Sequence, residues 1–125
     1  MATVSTISRF SAAADNNSFE SKGIKAYSQA YAATSAWVAK GGALRQHVCY
    51  AQLTGAMTIN ATVTALSQFD EVVFHFGTDG TQRIVTFGTN FKSSGTVTIP
   101  ANKGAIVTAV YDGTYLLVTS REIWA

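Results

Sequence analysis

Residues 71–119 read EVVFHFGTDGTQRIVTFGTNFKSSGTVTIPANKGAIVTAVYDGTYLLVT, and this stretch decides the fold class. Short runs rich in Val, Ile, Thr, Phe and Tyr alternate in it with TDGT, GTNF, SSGT, PANKG and YDGT. β-Branched and aromatic side chains suit a pleated, half-buried surface, while Asn, Asp and Gly supply the positive-φ positions of tight turns. Turn clusters recur about every 8–12 residues, the spacing of an antiparallel sandwich or barrel. TDGT reads as a hairpin from EVVFHF to QRIVTF. Pro100, the only proline, stops GTVTIP because it cannot donate to a ladder. GAIVTAVY and TYLLVTS form a last hairpin around Asp112-Gly113, a candidate type I′ turn. EVVFHF is apolar on both faces, as in a strand inside a sandwich or at an interface.

Working upstream, MTINATVTA alternates cleanly: Met57, Ile59, Ala61, Val63 and Ala65 face one way, Thr58, Asn60, Thr62 and Thr64 the other. In residues 46–53 the alternation puts Val48, Tyr50 and Gln52 on one face and His47, Cys49, Ala51 and Leu53 on the opposite one. Residues 24–40 fit two periods. Tyr27, Ala30, Tyr31, Thr34 and Trp37 fall at helical spacing, whereas Tyr27, Gln29, Tyr31, Ala33, Ser35 and Trp37 share a face at period two. The β character of every later segment favours the extended reading. Gly41-Gly42 ends the segment and is read as the boundary of the main domain. Residues 1–23 mix Ala, Ser and Asn with the sparse apolar positions Val4, Ile7, Phe10 and Phe19, the pattern of an arm that orders on a partner or stays free. The expected organisation is an arm over 1–23, a connecting segment (strand or short helix) over 24–42, and an all-β, antiparallel sandwich or jelly-roll-like domain over 43–125.

At 125 residues the chain has the length of one domain with a single core. Charged residues make up only 13%, about half the usual share. So little charge points to a surface covered largely by neighbours, hence to an oligomer or a larger assembly. The net charge of +2 leans on the first fifty residues, where Arg9, Lys22, Lys25, Lys40 and Arg45 outnumber Asp15 and Glu20. These cations form no dense stripe, which argues against a nucleic-acid partner. A signal-peptide pattern and an apolar run of membrane-spanning length are both missing from the sequence, so the expectation is synthesis in a cytoplasm and no membrane partner.

Few residues carry chemistry. Cys49 is the only cysteine, read as a small buried hydrophobe. His47 and His75 are the only histidines and show no third ligand at metal-binding spacing. Asp70-Glu71 is a carboxylate pair, but neighbours on a strand point apart and cannot flank one bond. Asp79 and Asp112 precede glycines and belong to turns. No catalytic, cofactor or metal set emerges, and the chain is expected not to be an enzyme. Tyr27, Tyr31, Trp37, Tyr115 and Trp124 are the aromatics that a glycan platform would need; filling the core and subunit contacts is the favoured account of them.

The segment VTFGTNFKSSGTVTIPANKGAIVTAVYDGTYLLVT resembles domains common in structural proteins of tailed bacteriophages and prophages. The likeness is one of order: a Thr-rich strand such as MTINATVTAL, a D-G turn, V-T-F-G, F-K-x-S-G-T, a strand ending in Pro, an apolar strand, and Y-D-G-T. It spans about residues 53–120. The resemblance implies a β-sandwich in a virion protein of decoration, head-fibre or tail-fibre type, often a homotrimer, with no catalytic residues or cofactor. The short chain beginning at Met, without a collagen-like or coiled-coil shaft, favours a capsid decoration (cement) protein on the capsid surface whose partner is the major capsid protein. Its contact residues would be Val4, Ile7, Phe10, Phe19, Tyr27, Tyr31, Trp37 and Trp124. A tail-fibre or spike module recognising a host glycan is the alternative.

Overall fold

The computed structural model describes residues 23–92 and 95–124. Ten strands run along the described residues: β1 (Ile24–Ser28), β2 (Thr34–Val38), β3 (Arg45–Leu53), β4 (Met57–Thr62), β5 (Glu71–Thr78), β6 (Arg83–Phe87), β7 (Phe91–Lys92), β8 (Thr96–Ile99), β9 (Gly104–Tyr111) and β10 (Leu116–Trp124). No helix occurs among the described residues, so the all-β expectation holds. The period-two reading of 24–40 holds as well, since β1 and β2 occupy it.

The strands form a six-stranded sheet, order β1-β3-β5-β9-β10-β7, and a four-stranded sheet, order β2-β4-β6-β8. We call them the large and the small sheet. From β1 to β6 the chain changes sheet at every turn, and each strand returns parallel to the one two before it. Ile24 stands against Arg45 and Arg45 against Glu71; Thr34 stands against Thr58 and Thr58 against Thr86. Stacked parallel coils of this kind make a short β-solenoid. Only the last third turns antiparallel, where β8 pairs with β6 and β9 pairs with both β5 and β10.

The antiparallel sandwich or jelly roll read from the sequence is thereby corrected, because five of the eight pairings among the described residues are parallel. Parallel strands need a crossover, which is most often a helix. Here the crossover is a strand of the opposite sheet, so the sequence shows only strand, turn, strand. TDGT illustrates this: it carries the chain from β5 in the large sheet to β6 in the small one, and makes no hairpin. Gly41-Gly42 likewise lies in the turn from β2 to β3, inside one body.

The two sheets close on a core centred on β5. The Phe74 ring lies 5.1 Å from Trp37, edge to face, 6.0 Å from Phe76 and 6.1 Å from Phe87. Met57, Ile59 and Ala61 point inward as their alternation predicts. Leu53 does not follow the alternation. A register shift between Tyr50 and Leu53 turns it into the core, on the same side as Val48 and Tyr50. One buried polar group anchors the first coil. Gln46 has no exposed surface; its Oε1 accepts from Tyr27 Oη at 2.6 Å and Lys40 N at 3.0 Å, and its Nε2 donates to Lys40 O at 2.9 Å. Tyr27 Oη in turn accepts from Trp37 Nε1 at 2.9 Å. Burial, offset in part by the Trp37 hydrogen bond, raises the Tyr27 pKa above the usual phenol value. The asparagine-free last hairpin has positive φ at Gly113 alone, whereas the I′ turn expected needs it at both central residues.

Candidate interaction surface

Of the residues singled out in the sequence, Trp37 is wholly buried and Tyr27 half-buried, joined in the network around Gln46. They hold the first coil together, and Trp37 has no surface left with which to meet another chain. Tyr31 is half-buried and donates to Ala56 O at 3.0 Å. Trp124 is different: it ends β10 with half its surface exposed, and its ring lies over Gly104, where any Cβ would collide with it. Val4, Ile7, Phe10 and Phe19 lie outside the described residues.

The carboxylate pair divides as strand geometry requires. Asp70 is buried and accepts from Ser67 N at 2.8 Å, while Glu71 reaches the Arg45 guanidinium on the outer face of the large sheet. The histidines were read separately, yet the parallel register of β3 on β5 brings them together. His47 Nδ1 and His75 Nε2 stand 2.9 Å apart on that same outer face.

An open apolar groove lies where the sequence offers no candidate site. At the end of the large sheet where β1, β3 and β5 begin, Ile24, Leu44, Arg45, Phe69, Glu71 and Val110 line a groove of about 400 Å³. Leu44 is 70% exposed and Phe69 75%. Between these apolar walls lies the Arg45–Glu71 ion pair. The groove thus offers apolar contact area together with one charge of each sign.

Phe69 has φ +75°, a left-handed conformation in which a bulky side chain is an outlier costing about 1–2 kcal/mol. Its backbone leaves no freedom. Phe69 N donates to Tyr111 O at 2.7 Å, Tyr111 N to Asp70 O at 2.9 Å, and Asp70 N to Ser67 O at 3.0 Å. The clamp holds the aromatic ring away from the core, into solvent. Strain that the surrounding structure maintains in this way concentrates at functional sites. A signal did exist in the sequence: the turn SQFD carries an aromatic residue that no turn requires. Leu44 gave a similar one, an apolar residue between Gly42 and Arg45 outside any alternating run.

The groove also adjoins the point where residues 1–22 join the described chain. A Cβ on Gly23 would touch the Leu44 side chain at 3.1 Å. Trp124 stands at the opposite end of the large sheet, since it pairs with Gly104 and Gly104 with Gly77, whereas Val110 at the groove pairs with Glu71. Comparison with models of protein families and with curated protein sequences finds no match for this chain.

Proposed function

We propose that this chain is a structural protein of a tailed-phage virion, a decoration (cement) protein that binds the capsid surface and stabilises the shell. The resemblance of residues 53–120 supplies the setting. The observation that carries an attachment role is Phe69, an aromatic side chain held in solvent at a conformational cost. Such an arrangement makes sense if a partner covers it. Fully burying a Phe or Leu side chain is worth about 1.5–3 kcal/mol. Leu44 and Phe69 together therefore provide a modest contact per copy, which becomes strong when a trimer engages several capsid subunits at once. Under this reading the segment bearing Val4, Ile7, Phe10 and Phe19 leaves the body beside the groove and extends the same contact.

Co-sedimentation with shells assembled from the major capsid protein of the same source tests this. Leu44→Ser with Phe69→Asn should leave the fold intact and weaken shell binding at least about tenfold, equivalent to 1.4 kcal/mol. Unchanged binding would remove the groove from the attachment surface. Half-exposed Trp124 and Tyr115 support the alternative of a glycan-recognising fibre module. That reading predicts saturable quenching of tryptophan fluorescence by host glycans, confined to Trp124 because Trp37 is buried.

A further inference from the structure

His47 and His75 take no part in the groove, and their arrangement has a chemistry of its own. His47 alternates with inward Gln46 and Val48, and His75 with inward Phe74 and Phe76, so both imidazoles stand on the outer face of the large sheet, half-buried. In register His47 stands against Val73 and Cys49 against His75, which makes the two histidines diagonal neighbours. Their ring centroids are 5.2 Å apart and the rings are tilted by 36°. Strand β5 is paired on both sides, by β3 and by β9, so this juxtaposition is fixed by two ladders.

We propose that His47 Nδ1 and His75 Nε2 together chelate a divalent transition-metal ion of tetragonal preference, Ni²⁺ or Cu²⁺, at adjacent coordination positions. The bite of the pair suits such an ion. Imidazole nitrogens bind such ions at about 2.0–2.1 Å, so two nitrogens at a right angle stand about 2.9 Å apart, and two at the tetrahedral angle about 3.3 Å apart. The observed separation is 2.9 Å. Without metal, one of the two facing nitrogens donates its proton to the other. On binding, that proton moves to the far nitrogen of its own ring, so that both facing nitrogens present lone pairs.

The surroundings favour a cation. Arg45, two residues before His47 on the same face, is engaged with Glu71. Glu122 of β10 stands in register with Ile106, which stands in register with His75, so a carboxylate lies two strands away. Among the described residues no set of three or more His, Cys, Asp or Glu side chains forms a metal-binding group. The remaining coordination positions are therefore left to water, and the ion stays exchangeable.

The experiment is a titration of the full, tag-free chain with NiCl₂ near neutral pH, followed by calorimetry and by thermal shift. Ni²⁺ is the probe because Cu²⁺ would oxidise Cys49, the neighbour of His75. Saturable one-site binding, reversed by EDTA and weakened about tenfold or more in both His47→Gln and His75→Gln, is expected, since either change removes the chelate. Zn²⁺ should bind more weakly than Ni²⁺. Absent saturation in the wild type, or wild-type affinity retained in either variant, overturns the site. Should either variant misfold by circular dichroism, imidazole NMR of the wild type decides. Paramagnetic Ni²⁺ must broaden the His47 and His75 ring signals before any other resonance, and broadening that begins elsewhere overturns the proposal.

Discussion

At φ +75° a phenylalanine opposes the local preference of its own backbone, and in this chain it does so with its ring in solvent. Asparagine tolerates the left-handed region far better. Phe69→Asn should therefore raise the stability of the isolated protein by about 1 kcal/mol, roughly 3–5 °C in melting temperature, while weakening attachment. A destabilised variant would mean that the ring packs structurally. Gln46 makes the opposite prediction. Replacing it with Leu leaves the Lys40 backbone groups and Tyr27 Oη without their buried partner, and should cost about 1–3 kcal/mol in chemical denaturation. Neither residue's surroundings followed from the pattern, although Phe69 stood out as an aromatic that its turn does not require. Gln46 sat in an alternating strand, where a polar residue reads as solvent-facing, and Phe69 sat in a turn, where side-chain direction is unconstrained by period. Met57, Ile59 and Ala61 were legible because both a clean alternation and a buried face acted on them.

At the scale of elements, the last hairpin is held by Asp112, whose Oδ1 accepts from Tyr115 N at 2.7 Å and Thr114 N at 2.8 Å. The hydrogen bond from Tyr115, then that from Thr114, lowers the Asp112 pKa below its ordinary value. A depressed carboxylate contributes stability above the unfolded-state pKa and loses it as pH falls through the folded-state value. Between about pH 5 and about pH 2.5 the wild type should thus lose more thermal stability than Asp112→Asn, whose amide oxygen still accepts but does not titrate. Parallel melting curves at the two pH values check this. The strands themselves were legible almost one by one, since period two and turn residues are local. Their partners were not. A turn such as TDGT looks the same whether it folds β6 back on β5 or carries it to the other sheet, and only the packing of the Phe74 cluster between the two sheets separates the outcomes. The same loss of register information hid the His47–His75 pair, which exists only because β3 and β5 run parallel.

For the whole molecule, two sheets coil around a core in which Trp37, Tyr50, Phe74 and Phe76 are buried. The body is joined to residues 1–22 beside the groove of Leu44 and Phe69. Removing residues 1–22 should leave the circular-dichroism spectrum and the cooperative melt of the body in place and sharply reduce shell binding; undiminished binding would deny the segment its role. The central claim, that the protein is a component of a phage shell, is tested most directly by its copy number in purified virions from its source, by quantitative mass spectrometry against the major capsid protein. A decoration protein should be present in a number of the same order as that of the capsid protein. A few copies per particle, or none, would contradict it.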